Sequence, residues 1–304
     1  MKKLFLFEFA TCGERIDDKI AVEGLAMFKA ALDGFRKYYE IVSFVRKEYC
    51  DQFALPIGDI DQIEGWLESC DAFLIIAPED DGLLFKLTKL GEKYAENLGS
   101  SSKAIEVVSD KWKLYKKLKN KVQVPTTSKK PLECEFIVKP RTSCAGEGIA
   151  FSSHVPDGYI AQEFIKGLNL SVSIIAGDES RVVSVNEQIL NGFSYEGAVV
   201  PARIDDKILS EVREEAMRAV ECIRGLKGYV GVDVVYSDQP YVIEINARLT
   251  TPVSAFRHVY GVYLADMMMG EKPKFVKRHL IKKGSNMESF YVRSGEYCLT
   301  IQEM

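Results

Sequence analysis

The chain has 304 residues, 47% of them hydrophobic and 28% charged, with Lys+Arg 40 against Asp+Glu 44 for a net charge of −4. That apolar content excludes a disordered, collagenous or low-complexity chain. The slightly acidic balance argues against general nucleic-acid binding, while leaving room for a local basic patch that holds phosphates.

Residue counts narrow the chemistry further. The three histidines, His154, His258 and His279, are too far apart for a local ligand pair, and the seven cysteines contain no C-x-x-C. Neither a His-rich metal site, a zinc knuckle nor a disulfide framework is indicated, and free thiols in a reducing cytoplasm are expected. No apolar run approaches the roughly 20 residues of a membrane span, and Glu8 breaks the opening apolar stretch too soon for a signal peptide.

The first third of the chain alternates strand and helix patterns. Lys3–Phe9 reads as a strand, Thr11–Asp18 as a loop, and Ile20–Phe35 as a helix with Val22, Leu25, Ala26, Phe28, Ala31, Leu32 and Phe35 on its apolar side. Glu40–Arg46 reads as a strand, Ile60–Cys70 as a short helix, Asp71–Ala77 as a buried strand, Leu83–Asn97 as a helix and Ala104–Val108 as a closing strand. Short apolar strands separated by helices predict an α/β unit with an open parallel sheet, whose ligands collect beyond the strand carboxyl ends, at 11–15 and 79–82.

Ser109 or Asp110 then caps a lysine-rich helix. From Glu135 the pattern turns to strands over Glu135–Pro140, Ile149–Ser152, Tyr159–Phe164, Leu168–Ala176 and Arg181–Leu190. A helix is predicted over Asp205–Arg224, two strands over Tyr229–Tyr236 and Pro240–Asn246, a last helix over Pro252–Met269, and a strand pair within Phe275–Met304 that covers a sheet edge or builds a dimer contact.

Three segments carry chemistry. In Phe136–Ile149 an apolar strand delivers Lys139, and a loop with Ser143, Gly146 and Gly148 follows. A lysine with backbone N–H groups freed by glycine suits nucleotide phosphates, although a ligand-free glycine hairpin accounts for the same residues. In Tyr159–Ser171, backbone around Glu163 and Ile165 could read a purine edge and Asn169 a ribose, or the segment is an ordinary hairpin. In Gly231–Val235 and Val242–Arg248, Glu244 and Asn246 share one strand face and Asp233 can oppose them across a hairpin. Oxygen donors converging from apolar strands require a compensating cation, and Mg2+ is the natural guest, with Mn2+ as its substitute. Arg248 adds a cation for a phosphate or oxyanion. A surface hairpin with alternating polar residues is the rival arrangement.

In this order the segments resemble the ATP-grasp superfamily of carboxylate–amine ligases, with the match running over about 104–270 and Lys3–Val108 similar to the α/β domain that precedes the grasp. The resemblance implies three units: a pre-ATP-grasp domain over 1–103, a small subdomain with the glycine loop over 104–166, and a large subdomain with the metal site and tail over 167–304. It also implies an α+β grasp. Lys111 and Lys139 resemble the phosphate-binding lysines, Ser143–Gly148 the mobile loop, Glu163 and Ile165 the adenine hinge, and Asp233, Glu244 and Asn246 the magnesium ligands. Arg248 resembles the arginine beside the transferring phosphoryl group, and Asn169 stands where the superfamily often has glutamate.

Ala21–Met27, Asn186-Glu187-Gln188, Tyr195-Glu196-Gly197 and Ala247–Pro252 resemble the tyramine–glutamate ligase branch of methanofuran biosynthesis. The resemblance implies an enzyme that uses ATP, a small carboxylate and a small amine, while the composition fits a cytoplasmic chain with no nucleic acid or membrane as partner. Gln188, Tyr195 and Arg203 are polar or aromatic groups that could orient an amino acid, or they belong to an exposed turn around Asn191-Gly192 with a tyrosine packed on it. A lysine ligase-like enzyme, a phosphotransferase and a non-catalytic nucleotide-binding module are the alternatives.

Overall fold

The computed structural model describes residues 1–144 and 146–304. Ala145, inside the predicted glycine loop, lies outside the described residues.

The N-terminal part forms a parallel sheet in the order Glu40–Val42, Lys3–Glu8, Ala72–Ile76 and Glu96–Asn97. Its two central strands are buried almost throughout, as strands covered on both faces must be. The helix Asp18–Phe35 starts where Asp17 accepts the Lys19 N–H at 2.8 Å, and it buries the predicted apolar residues against this sheet. At the carboxyl end of the first strand Glu8 accepts the N–H groups of Ala10 and Thr11, so Phe9–Cys12 is a helical turn where a loop is predicted from Thr11.

Other boundaries differ for physical reasons. Ala104–Val108 belongs to a helix, Ser102–Val108, with the Ser101 hydroxyl at its N-cap. Five residues, four of them apolar around Glu106, are too few for a period that separates strand from buried helix, and the cap decides. The helix expected to reach Asn97 ends at Gly91, because Glu96–Asn97 turns back to pair with Ala72 and Phe73. Only Glu40–Val42 of the second predicted strand is paired in the sheet, and Val45 makes an isolated bridge to Ile57.

The second sheet is small and antiparallel, in the order Thr127–Ser128, Tyr159–Glu163, Phe136–Pro140 and Ala150–Phe151. The third has eight antiparallel strands, in the order Pro240–Asn246, Gly228–Tyr236, Leu168–Ala176, Arg181–Asn191, Ser194–Val200, His279–Ser285, Tyr297–Glu303 and Val292–Ser294. The helix Asp206–Glu221 covers it with Val212, Ala216, Ala219 and Val220. The tail supplies three strands of this sheet, not an appended pair. The predicted last helix breaks into Thr251–Ala255, Phe256–Tyr260 and Leu264–Met268, with Gly261 in the left-handed region at φ 72° ending the middle piece. Among the described residues no helix is long and apolar enough to cross a membrane.

Candidate active site

The three sheets surround one cleft of about 620 Å³. The parallel sheet contributes the carboxyl ends of two strands, at Glu8–Ala10 and Ile76–Pro78. The small sheet contributes Ile137, Lys139 and Gln162–Ile165, and the large sheet Asn169, Gln188, Tyr195, Asp233, Glu244, Asn246 and Arg248.

Strand register brings the oxygen donors together. Asp233 lies directly opposite Glu244, and Gly231 opposite Asn246, with a bulge just after Asp233. Asn246 Nδ2 donates to Asp233 Oδ2 at 3.1 Å and Gln188 Nε2 donates to Oδ1 at 3.0 Å, so the Asp233 carboxylate is fixed from two sides. Burial, and then the neighbouring Glu244 carboxylate, push Asp233 up to about 7. An oxygen-only set of two carboxylates and a carboxamide could hold a hard divalent cation.

The two lysines arrive from different elements. Asp110 caps the helix Lys111–Leu118 by accepting the N–H groups of Trp112 and Lys113, and Arg141 pairs with the same carboxylate. The Lys111 N–H donates to the Arg141 carbonyl at 2.9 Å, which ties this helix start to the end of the strand carrying Lys139. Lys111 Nζ donates to the Ser143 carbonyl at 2.7 Å and lies 3.3 Å from Glu244 Oε1. Lys139 is only 2% exposed, and burial pushes its ammonium down to about 8 against the pull of Glu244. The cap at Asp110 is legible in the sequence, but its ion pair with Arg141 is not, because a pair between separate elements leaves no periodic signal.

The glycines after Lys139 are required by geometry. Gly146 and Gly148 have φ of 76° and 71°. A Cβ on Gly146 would stand 2.2 Å from the Phe193 carbonyl oxygen, and one on Gly148 2.7 Å from Pro140. Ser143, at the start of this loop, is buried. Cys144 lines the cleft, but burial pushes its thiol well up, which suits a packing role and not a nucleophile.

Glu163 N–H donates to the Thr126 carbonyl and its carboxylate accepts the Thr126 N–H at 3.1 Å, which ties the end of this strand to the edge strand Thr127–Ser128 of the small sheet. Ile165 and Asn169 follow it along the cleft wall. Gln188 and Tyr195 also line the cleft, Tyr195 from the strand Ser194–Val200, which the sequence pattern does not predict. Arg203 does not join them. It is exposed on the connection into the helix Asp206–Glu221 and lies off the cleft wall, since the strand ends at Val200 and the chain turns away at Pro201.

Arg248 is gripped from the parallel-sheet part by Glu79, which lies in the predicted ligand loop 79–82 but whose pairing with Arg248 has no signal in the sequence. Glu8 and Glu23 add two carboxylates to that wall of the cleft.

Comparison with known proteins agrees with this architecture. Residues 108–252 match the ATP-grasp domain and 58–105 the pre ATP-grasp 3 domain. The chain belongs to the ATP-grasp superfamily of ligases. Within it the chain is 36% identical over 264 residues to the tyramine–L-glutamate ligase of Methanocaldococcus fervens, covering 82% of this chain and 88% of that protein. It is 35% identical over 265 residues to that of Methanocaldococcus jannaschii, covering 82% and 83%. A crystal structure of an Archaeoglobus fulgidus protein assigned to the ATP-grasp superfamily superposes with a TM-score of 0.97 at 62% identity over 100% of both chains. The ADP complex of an N5-carboxyaminoimidazole ribonucleotide synthetase shares the fold, with a TM-score of 0.75 at 14% identity over 99% of this chain and 91% of that one.

Proposed function

We propose that this protein is an ATP-dependent, ADP-forming carbon–nitrogen ligase that joins the γ-carboxylate of L-glutamate to the amine of tyramine. The observation that carries the reading is the meeting of Lys139 and Arg248 with Asp233, Glu244 and Asn246 in one cleft between three sheets, with Lys111 behind Glu244 at 3.3 Å. The similarity to tyramine–L-glutamate ligases supports this choice of substrates. In this reading 1–103 is the pre-ATP-grasp unit, 104–166 the small subdomain and 167–304 the large one.

ATP lies between the two antiparallel sheets, its adenine along Glu163–Ile165 and its ribose toward Asn169. Lys111 and Lys139 bind the phosphates, and Ser143, Gly146 and Gly148 close over them. A substrate carboxylate oxygen attacks the γ-phosphorus, the bond to the β-phosphate oxygen breaks, and ADP leaves an acyl phosphate behind. The amine then attacks the acyl carbon, expels phosphate and sheds a proton. Arg248 and Lys139 stabilise the oxygens on which charge accumulates, and closure excludes water from the acyl phosphate. Asp233, Glu244 and Asn246 would hold Mg2+ or Mn2+, and the fit is supported by an all-oxygen donor set in which two carboxylates face each other across the strand register. The ion, when bound, neutralises triphosphate charge.

The test is ADP release with L-glutamate and a panel of amines. ADP formation that requires both glutamate and tyramine is expected. ADP formed with a second amino acid in place of tyramine would favour a lysine ligase-like enzyme, and ADP formed with a hydroxyl acceptor a phosphotransferase. Tight ATP binding without turnover would favour a nucleotide-binding module.

A further inference from the structure

The wall of the cleft opposite the metal ligands is the start of the helix Asp18–Phe35. Ile20, Glu23, Gly24 and Met27, spaced by three and four residues, form one face of that helix, and all four line the cleft. Glu23 is the charge on this face. Its Oε1 accepts from Lys283 Nζ at 2.7 Å and its Oε2 from Thr251 Oγ1 at 2.9 Å. Lys283 comes from the strand His279–Ser285, is buried, and lies 5.4 Å from the centroid of the Tyr195 ring. Glu23 itself keeps 17% of its side chain exposed.

A carboxylate offers about four acceptor positions, and Lys283 and Thr251 occupy two. Beside it, and near the Thr251 hydroxyl, the Tyr195 hydroxyl is enclosed without a well-formed hydrogen bond among the described residues, an arrangement that costs stability unless another group relieves it. An interdomain clamp alone would need neither the open side of Glu23 nor the enclosed hydroxyl. Together these groups suit a zwitterion, with Glu23 accepting from an ammonium and Tyr195 donating to a carboxylate.

We propose that Glu23, braced by Lys283 and Thr251, anchors the α-ammonium group of the amino acid that supplies the reacting carboxylate. This inference rests on the ligase reading above. The amine substrate is the poorer fit, because its nitrogen must lose a proton before it attacks, and a fixed carboxylate would hold it as the unreactive ammonium. The α-ammonium of an amino acid takes no part in the chemistry and can stay on Glu23 throughout.

The experiment compares L-glutamate with glutarate, which lacks only the ammonium group, in wild type and in Glu23→Gln. Binding is measured by calorimetry with a non-hydrolysable ATP analogue and Mg2+, and turnover by ADP release with tyramine. Wild type is expected to bind glutamate at least about tenfold better than glutarate, and Glu23→Gln to lose that preference, since a hydrogen bond between two charged groups is stronger than one to a neutral carboxamide. KM for tyramine should stay within about twofold on the same grounds. Lys283→Met, which removes the brace but keeps the carboxylate, should melt lower yet still prefer glutamate. Equal glutamate preference in Glu23→Gln and wild type, or a rise confined to the tyramine KM, overturns the proposal. Loss of preference in both variants alike also overturns it, in favour of a clamp. Glu23-dependent glutamate binding without ADP formation keeps the subsite and rejects the ligase.

Discussion

Glu79 holds Arg248 through two parallel hydrogen bonds, Oε1 to Nε at 2.9 Å and Oε2 to Nη2 at 3.0 Å. The carboxylate follows a strand of the parallel sheet, the guanidinium follows a strand of the large antiparallel sheet, and both are largely buried. Two bonds fix the plane of the guanidinium as well as its position, so a residue outside the grasp orients the arginine inside it.

Glu79→Gln should therefore lower kcat by about 10- to 100-fold with little change in the KM for ATP, the pattern of a misplaced transition-state contact. Glu79→Ala should in addition destabilise the protein by about 3–5 kcal/mol, because it leaves a buried guanidinium unpaired. Steady-state kinetics and urea unfolding separate the two effects. Equal kinetics for wild type and Glu79→Gln would show that Arg248 is positioned without its partner.

Lys139 predicts an alkaline limit on nucleotide binding. Its ammonium, pushed down to about 8 by burial, is lost as pH rises while the phosphates still require it. Affinity for an ATP analogue should weaken by about an order of magnitude between pH 7.5 and 9, and Lys139→Gln should flatten that profile. The same group has the opposite effect on folding. Between about 8 and its ordinary value of 10.5 the unfolded chain binds the extra proton, so this residue's contribution to stability grows with pH.

Asp233→Asn should trade activity for stability. Asp233 is raised from 3.8 to about 7, so the folded state binds its proton more tightly and stability falls as pH climbs through that window. Removing the charge should raise the melting temperature at pH 7.5 while cutting ADP formation at least about 100-fold. Mg2+ should raise the melting temperature of wild type and leave Asp233→Asn unmoved. A variant that melts lower than wild type without metal would contradict this account of the site.

Gly146→Ala tests the loop. Its Cβ would meet the Phe193 carbonyl at 2.2 Å in a backbone conformation that alanine avoids. Closure over the phosphates should suffer, with kcat/KM for ATP down by about tenfold and the melting temperature nearly unchanged. Unchanged kinetics would mean that the loop need not adopt this conformation during turnover.

The amino-acid sequence by itself determined what depends on neighbours in the chain. The helix from Asp18 and the strands Leu168–Ala176 and Pro240–Asn246 follow from apolar period, and Asp110 from cap chemistry. Alternation along the last of these strands put Glu244 and Asn246 on one face, and the succession of Lys139, its glycines and Asn246-Ala247-Arg248 carried the family resemblance. Tertiary structure decided whatever joins distant segments. The pairing of Asp233 with Glu244 depends on a register broken by a bulge, and Glu79 with Arg248 on the packing of two sheets. Glu23 with Lys283 spans 260 residues. Arg203 shows the converse, since a cation at a plausible spacing is carried out of the cleft by a turn at Pro201. Local spacing sets the face on which a side chain lies, but only the packing of separate sheets sets what that face meets.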